Sequence, residues 1–496
     1  MTEKVGLSKS KYCSGVACPK ILWMDEHMPE KAVSTSSDAV LRNGQQVGEV
    51  ARSYFGEYFL VGYSYDKPEM CAQTKRFMEY GAENIAEASF IYDGLFCAVD
   101  ILHKDGDGWD LVEVKSATEV KPEYIDDMAF QLYVLEKAGI TIHKVYNMHI
   151  NNTYVRRDNL DLFGLFALED CTGEVRIRAF DVEANIKGIR EYLENETEPV
   201  NDIDMCCISP YECPYRAYCW SHVPTPSVFD VRRLKKQKMF DLYHEGIVTF
   251  DDLLNHRVKL SAKQMLQVET AADHLPDTII ENDIIEFLNT LRYPLYDLDF
   301  ETFQQAIPEF DGEKPYDQLP FQYSLHIEYA DGRLEHKEFL AKEGTDPRRA
   351  IAESLCRDIP MGVCSLAYNM AFERTRLKEL AALFPDLSDH LMDISDNMHD
   401  LMIPFQKGSF YKESMQGSYS IKYVLPSLYP DDPELDYHKL EGIHKGDEAS
   451  EAFATLAFHS PSEIEIIRQN LLKYCGLDTY AMVKVLAKLR EVVGAD

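Results

Sequence analysis

Two short acidic strings carry the residue types that hold divalent metal ions. The first combines Asp100 with Glu113 and Lys115, and the second combines Asp299 with Glu301. Carboxylate oxygens are the ligands that Mg²⁺ prefers, and a lysine beside them can orient an attacking water and offset charge on a phosphate. The two strings therefore predict two centres for metal-assisted phosphodiester hydrolysis.

The first string lies in a predicted β-hairpin. Residues 97–102 and 109–115 have the apolar character of buried strands, and the segment between them is rich in Asp and Gly. Alternation along the second strand puts Glu113 and Lys115 on one face, where Asp100 of the neighbouring strand can meet them. A solvated strand face is the alternative interpretation, since such faces commonly carry these residue types.

The order of elements around this hairpin resembles the PD-(D/E)xK nucleases of the RecB type. A predicted helix at 124–138 follows the hairpin and carries Gln131, and a strand upstream carries Glu87. The resemblance implies that Gln131 supports the centre and that Glu87 is a further metal ligand. In that family a tyrosine commonly follows the glutamine by four residues, and Leu135 stands there in this chain.

Cysteines bracket this first segment from both ends. The four principal candidates as metal ligands are Cys18, Cys207, Cys213 and Cys219. Four thiolates suit a [4Fe–4S] cluster or structural Zn²⁺, although the tight Cys-x₂-Cys knuckles typical of zinc are absent. One distant cysteine plus a C-terminal trio resembles the iron–sulfur nucleases of the AddB type and of CRISPR adaptation, which implies a [4Fe–4S] cluster. Zinc and a set of buried apolar thiols are the alternatives, and Cys206 and Cys13 are ambiguous substitutes.

The second string opens a predicted series of strands. These strands are expected at residues 293–300, 321–329, 333–340 and 363–367. Asp299 and Glu301 share one face of the first strand. Two metals about 4 Å apart need three or four converging carboxylates and no histidine base, so further acids should come from elsewhere in the chain.

Those further acids are supplied by two later strings. Asn369-x-x-Phe372-Glu373 follows the fourth strand, and Tyr474-x₃-Asp478 lies near the C-terminus. In this order the strings resemble the DEDD (DnaQ-like) exonucleases on an RNase H-like fold. The resemblance implies that Glu373, where the family usually has Asp, and Asp478 complete the centre. It also implies that Tyr474 orients the attacking water and that this last string starts the final helix.

The densest basic run lies between the two centres. Its members are Arg232, Arg233, Lys235, Lys236 and Lys238. Downstream, Gly246 can end one helix and Thr249 can cap the next. This pattern is typical of a helix–hairpin–helix unit, which offers backbone amides to a phosphate, and an ordinary helix pair with a solvated basic face is the alternative.

The bulk composition limits the class of protein. A net charge of −33 argues against a protein that coats nucleic acid, but a catalytic nuclease can work with a local basic groove. No apolar run is long enough to span a bilayer, and residues 1–4 do not begin a secretory signal. We therefore expect no membrane partner and a cytoplasmic protein whose twelve cysteines are mostly reduced or metal-bound.

The sequence thus predicts an α/β fold class with three domains. Residues 1–222 are expected to form a PD-(D/E)xK nuclease core with an iron–sulfur staple, 223–285 a helical, helix–hairpin–helix-like middle, and 286–496 a DEDD domain on an RNase H-like fold. The whole chain resembles a bacterial family that joins an iron–sulfur RecB-like nuclease to a C-terminal domain of unknown function. The resemblance implies a Mg²⁺- or Mn²⁺-dependent exonuclease in DNA repair or defence. A non-catalytic nucleic-acid-binding adaptor and an RNA-directed exonuclease are the alternatives.

Overall fold

The computed structural model describes residues 6–34 and 38–495. Residues 1–4, whose composition argued against a secretory signal, lie outside the described residues. The chain divides into two compact units: unit 1 comprises Met1–His222 and Gln305–Asp317, and unit 2 comprises Val223–Gln304 and Gln318–Asp496. The predicted division into three domains remains a prediction.

Unit 1 is built on a mixed seven-stranded sheet. Its strands are β1 (Leu7–Ser8), β2 (Phe59–Leu60), β3 (Asn84–Tyr92), β4 (Leu95–Asp105), β5 (Gly108–Lys115), β6 (Ile142–Ile150) and β7 (Phe166–Asp170). The order is β2-β3-β4-β5-β6-β7, with β1 pairing alongside β4. Strands β3, β4 and β5 are antiparallel, and β5 pairs in parallel with β6. The predicted hairpin is therefore confirmed, and β5 lies in the interior of the sheet.

Helices cover both faces of this sheet. They are α1 (Lys9–Ala17), α2 (Pro19–His27), α3 (Asp38–Ala51), α4 (Lys67–Tyr80), α5 (Pro122–Lys137), α6 (Leu162–Leu165), α7 (Thr172–Leu193) and α8 (Arg216–Cys219). One core contains Leu102 and Leu111 with residues of α1, α5 and α7. Neighbouring positions in the same strands, Ile101 and Val112, point into a second core with α3 and Ala306. This alternation is the physical basis of the two covered faces.

Unit 2 contains a five-stranded sheet and a two-stranded one. Its strands are β8 (Thr278–Ile279), β9 (Leu295–Phe303), β10 (Leu319–Glu328), β11 (Leu334–Leu340), β12 (Cys364–Ala367), β13 (Met398–Asp400) and β14 (Phe410–Tyr411). The larger sheet has the order β11-β10-β9-β12-β13, and β8 pairs with β14. Strands β9 to β11 form an antiparallel meander, and β12 and β13 continue the sheet in parallel with β9.

The helices of unit 2 lie before, between and after these strands in sequence. They are α9 (Lys236–His244), α10 (Phe250–Asn255), α11 (Ala262–Asp273), α12 (Glu281–Leu288), α13 (Arg348–Asp358), α14 (Ala371–Leu383), α15 (Ser388–Asp396), α16 (Ile403–Lys407), α17 (Ile421–Leu428), α18 (Gly446–Thr455) and α19 (Pro461–Val492). Gly246 follows α9 with φ 78°, and Thr249 forms a capping box at the start of α10. The predicted chain reversal between these two helices is confirmed.

The fold confirms the α/β class and corrects one local prediction. The final helix begins at Pro461, with Ser460 in a capping box, and not at the Tyr474-x₃-Asp478 string. Tyr474 and Asp478 instead lie in the middle of α19, where the helix packs against β9 and β10. Among the described residues, no helix has both the length and the apolar character to cross a membrane.

Candidate functional site

Three carboxylates of unit 1 lie in one row across neighbouring strands. Glu87 of β3 and Asp100 of β4 fall between two paired positions of their strands, and the β4–β5 register, continued by one residue, sets Asp100 opposite Glu113 of β5. Glu87 has a left-handed backbone with φ 58°, which few non-glycine residues adopt, and it accepts a hydrogen bond from Arg52 Nη2 at 3.1 Å. Asp100 Oδ2 accepts a hydrogen bond from Val114 N at 2.7 Å. The predicted acids of the first centre therefore converge.

Glu113 is buried and accepts hydrogen bonds from three side chains. Its Oε1 accepts from Lys115 Nζ at 2.7 Å and from Lys9 Nζ at 2.9 Å, and its Oε2 accepts from Gln131 Nε2 at 2.7 Å. Asp127 contacts the same three donors: Lys115 at 2.8 Å, Lys9 at 3.3 Å and Gln131 at 3.1 Å. Two carboxylates and two ammonium groups thus form a closed, formally neutral set beside Asp100.

Lys9 and Asp127 were missed by the sequence analysis. Asp127 lies one helical turn before Gln131 in α5, so the i, i+4 spacing was a signal that could have found it. Lys9 precedes Glu113 by 104 residues. No local pattern links these two positions, and only the tertiary structure brings them together.

The pKa values of the two principal acids of this centre, Asp100 and Glu113, are shifted in opposite directions. Burial and the negative charge of Glu113 raise the pKa of Asp100 to about 7. Burial acts on Glu113 in the same direction, but Lys115 and Lys9 outweigh it and hold the pKa of Glu113 well below its ordinary value. A divalent cation at this row would favour the ionised form of Asp100, because an opposite charge stabilises a carboxylate.

The cysteines of unit 1 line one small cavity. The four predicted ligands Cys18, Cys207, Cys213 and Cys219 all border it, and so does Cys206. Hydrogen bonding from the Cys206 thiol lowers the pKa of Cys18 to about 7 and that of Cys207 to about 6, against the effect of burial. Burial, with the charges of Cys207 and Cys18, raises the pKa of Cys213 to about 11. A convergent set of thiols has the donor chemistry for either of the predicted groups, iron–sulfur or zinc.

Carboxylates from distant parts of unit 2 converge at β9. Oxygens of Asp299 and Glu301 and the Sγ of Cys475 all lie within 4.8 Å of one another. Burial raises the pKa of Asp299 well above its ordinary value, and the charges of Asp478, Glu301 and Glu373 add to that rise. The four predicted acids of the second centre are therefore close enough to repel one another.

Glu373 is the acid that α14 contributes to this group. It lies in the first turn of α14, it is buried, and its Oε2 has no hydrogen-bond partner among the described residues. Burial and the charge of Asp400 raise its pKa to about 8. Asp400 itself is held by backbone amides, since its Oδ1 accepts from Asn369 N at 2.9 Å and from Met402 N at 3.0 Å. Buried carboxylates with free oxygens fit the requirements of a divalent-cation site.

Tyrosines surround the acid contributed by α19. Tyr437 donates a hydrogen bond to Asp478 Oδ1 at 2.7 Å, and its ring lies 6.1 Å from that of Tyr474. Burial raises the pKa of Asp478 to about 6, against the effect of Tyr437. Burial together with the charges of Asp478 and Glu301 raises the pKa of Tyr474, which is consistent with a hydroxyl directed at the carboxylates.

Sequence analysis did not identify every residue of the second centre. Cys475 directly follows Tyr474 in α19, and its Sγ lies 4.0 Å from Asp299 Oδ2. The positive charge of Lys422 in α17 lowers the pKa of Asp299 and Glu301 against the burial that raises it. The position of Lys422 near the carboxylates depends on the packing of α17 against α19.

The two arginines of the basic run lie against tyrosine rings of the same unit. The Arg232 guanidinium lies 4.4 Å from the ring centroid of Tyr423, and that of Arg233 lies 4.8 Å from Tyr419. The Lys263 ammonium lies 5.4 Å from the same Tyr419 ring. Arg232, Arg233 and Tyr423 line a cleft of about 890 Å³.

The lysines of the basic run differ in exposure and in contacts. Lys235 and Lys236 are exposed, whereas Lys238 is partly buried and donates to the carbonyl of Lys259 at 2.7 Å. The run therefore does not act as one uniform basic face.

Comparisons with known proteins give one partial match. Residues 296–420 match the family model described as a domain of unknown function, DUF2779. No curated protein and no solved structure matched the chain. The match includes Asp299, Glu301 and Glu373 and ends before Asp478, so it spans most of the second centre and assigns it no chemistry.

Proposed function

We propose that this chain is a metal-dependent nuclease with two phosphodiester-hydrolysing centres, one in each unit. The observation that carries the proposal is the cluster in unit 2. Asp299, Glu301, Glu373 and Asp478 come from β9, α14 and α19, and they meet as buried or half-buried acids with raised pKa values. None of the salt bridges described within residues 6–34 and 38–495 includes one of these four. Mutually repelling buried acids are costly unless cations bind them, which favours a metal centre over a structural role.

The unit 2 centre has the parts that phosphodiester hydrolysis needs. Divalent cations bound there would supply an activated water and neutralise charge on the leaving oxygen. Asp299 and Glu301 offer oxygens from one strand face, and Glu373 contributes an oxygen without a partner among the described residues. The Tyr474 hydroxyl lies within hydrogen-bonding reach of Asp478, where it can orient the attacking water. The three-stranded meander followed by parallel strands supports the proposal of an RNase H-like fold with DEDD chemistry.

The unit 1 centre supports the same chemistry by another arrangement. Its row of Glu87, Asp100 and Glu113 offers hard oxygen ligands, and Lys115 lies against Glu113. The hairpin followed by a helix that bears Gln131 supports the proposal of a PD-(D/E)xK core. One observation favours the competing proposal of a non-catalytic adaptor here: Glu113 is already compensated by ammonium groups. A cleavage assay decides between the two.

We further propose that the convergent cysteines hold a [4Fe–4S] cluster, with zinc as the alternative. Protein purified without oxygen should then be brown and contain iron and sulfide in amounts that match the cluster, because thiolate-to-iron charge transfer absorbs visible light. Colourless protein with one equivalent of zinc would establish the alternative. Cys213→Ser should remove the colour, whereas Cys356→Ser, which changes a half-buried thiol of unit 2, should leave it.

The substrate that we propose is nucleic acid, with DNA favoured. Arg233, Lys263 and Tyr419 form a cation–aromatic surface, and cations with aromatic rings are the groups that hold phosphates and bases of single strands. Lys422 lies in the same part of unit 2, next to the acids. A chain of charge −33 needs such local contacts to hold a polyanion. We place the protein in the cytoplasm, in DNA repair or defence.

The decisive experiment assays nucleotide release from labelled DNA and RNA, single- and double-stranded, with Mg²⁺ and with Mn²⁺. Asp299→Asn should lower the unit 2 activity by at least about 100-fold, as when a group that stabilises developing charge is removed. Lys115→Met should abolish a different activity and leave the first one intact. Binding without hydrolysis by the wild-type chain would establish the adaptor, and cleavage restricted to RNA would establish the RNA-directed exonuclease.

A further inference from the structure

Helix α1 connects the two chemically distinctive clusters of unit 1. Lys9 is its first residue, and Cys18 follows its last residue, Ala17. Nine residues of α-helix span about 13 Å at a rise of ~1.5 Å per residue. Lys9 therefore reaches Glu113 and Asp127 from one end of α1, while Cys18 enters the cysteine cavity at the other end.

Helix α1 is held firmly along its length. Tyr12 is fully buried, its ring stacks on Phe130 of α5 at 4.7 Å, and its hydroxyl accepts a hydrogen bond from Asn185 Nδ2 of α7 at 3.1 Å. Gly15 packs so closely that a Cβ there would lie 2.7 Å from Ile189 Cδ1. A helix packed this tightly transmits a shift at one end to the other, because dense interiors deform little.

Lys9 has a clear electrostatic task at its end of the helix. Asp127 contacts both lysines, and it would hold Lys115 more strongly if Lys9 were absent. With Lys9 present, two ammonium groups balance two carboxylates, and Lys115 is shared. The same positive charge, 2.9 Å from Glu113 Oε1, opposes a divalent cation at the neighbouring row.

We propose that Lys9 is a positioning residue of the unit 1 centre and that the metal-loaded cysteine cluster holds it there through α1. The inference rests on the proposed nuclease centre and on the proposed cluster. Loss of metal from the cysteine cluster would then displace Lys9 and change metal binding and cleavage at the unit 1 centre.

The first test measures metal affinity and cleavage separately. In an Asp299→Asn background, which silences the unit 2 centre, Lys9→Met should bind Mn²⁺ several-fold more tightly, because a repelling charge is gone. The same variant should cleave several-fold more slowly, because Lys115 is then held by Asp127. Lys9→Arg should restore both values. Weaker Mn²⁺ binding together with slower cleavage would indicate a purely structural lysine and overturn the proposal.

The second test measures the coupling and needs no catalysis. Acetylation by an N-hydroxysuccinimide ester, read by mass spectrometry, reports how accessible each lysine is. We expect Lys9 to become several-fold more reactive after the cluster is removed by chelation, and also in Cys213→Ser, whose altered cysteine lies outside α1. Lys115 should become no more reactive, because Asp127 then holds it alone, and the exposed Lys75 of α4 serves as the reference.

Each alternative outcome of the labelling is informative. Unchanged labelling of Lys9 after verified loss of iron would overturn the coupling, and so would an equal rise at Lys9 and Lys115, which indicates general unfolding. Protein that contains neither iron nor zinc would remove the cluster proposal and the coupling together. Absence of nucleolytic activity would instead remove the nuclease proposal and leave the labelling result standing.

Discussion

At the scale of single residues, the second centre is defined by acids whose environment opposes their own charge. Glu373 has its Oε2 buried without a partner among the described residues, and Asp478 lies half-buried beside two tyrosines. Burial raises the pKa of Glu373 to about 8 and that of Asp478 to about 6. These carboxyl groups therefore hold protons in the metal-free folded chain that the unfolded chain releases at lower pH.

The stability of the metal-free protein should consequently depend on pH. Because the folded pKa values are raised, the contribution of both groups is complete below the unfolded values of 3.8 and 4.5 and is lost as pH rises through about 6 and about 8. We expect the melting temperature to fall over this range, Mn²⁺ to restore it, and Glu373→Gln to flatten the upper part of the fall. Glu79→Gln, at an exposed acid of α4, is the control. A level melting temperature would contradict the raised pKa values.

A second prediction at this scale concerns the hydroxyl of Tyr474. Tyr474→Phe should lower hydrolysis by unit 2 about 100-fold, the low end of the range for positioned proton-transfer groups, since only the group that can orient water is removed. Mn²⁺ affinity measured by titration should not change. Tyr480→Phe, six residues along the same helix, is the matched control. Equal rates for the two variants would remove Tyr474 from the centre.

At the scale of elements, the two arginines of the basic run pack against tyrosines of the segment 419–423. Arg233 has a left-handed backbone, φ 57°, and faces Tyr419, while Lys263 of α11 reaches the same ring. Two cations from separate segments thus meet on one tyrosine. The alternative of a solvated basic face still applies to Lys235 and Lys236, which are exposed.

We expect the double substitution Arg233→Glu and Lys263→Glu to weaken binding of a labelled single strand irrespective of its sequence. The slope of log affinity against log salt should become shallower by about 1 for each phosphate that the variant no longer neutralises. The measurement is fluorescence anisotropy in EDTA, which separates binding from hydrolysis. Lys75→Glu with Lys187→Glu changes the net charge equally on exposed helices of unit 1 and should have little effect. Equal effects of both pairs would indicate a general charge effect.

At the scale of the whole molecule, unit 1 is completed by a distant part of the chain. Ala306 is buried in a core of unit 1, and Ile307 and Tyr316 pack against that core. Arg156 Nη1 donates to the carbonyl of Pro308 at 2.6 Å. Residues 305–317 come between β9 and β10 in sequence. Unit 1 therefore includes a segment that lies, along the chain, between two strands of unit 2.

A chain that ends at His222 should therefore be less stable than unit 1 in the full protein. Loss of the apolar burial by residues 306, 307 and 316 should lower the melting temperature by roughly 5–10 °C. Fusion of residues 305–317 through a flexible linker should recover most of this loss, and a scrambled segment of equal composition should not. Calorimetry of the three chains makes the comparison. An unchanged melting temperature for the truncated chain would mean that unit 1 is complete without the segment.

The sequence by itself determined features that depend on local periodicity. Alternation put Asp299 and Glu301 on one strand face, and turn chemistry defined the hairpin that joins Asp100 to Glu113. The cap at Thr249 followed from its own side chain. These features could be predicted because each depends on residues a few positions apart.

Only the tertiary structure decided which distant residues complete the two centres. Lys9 meets Glu113 because β1 pairs beside β4 and starts α1 at the carboxylates. Tyr474 and Asp478 reach the acids of β9 because α19 packs against β9 and β10, which a short acidic motif does not reveal. Residues 305–317 belong to unit 1 because they pack into its core, although the strands on either side of them belong to unit 2. Long-range packing selects these partners, and no spacing in the sequence encodes it.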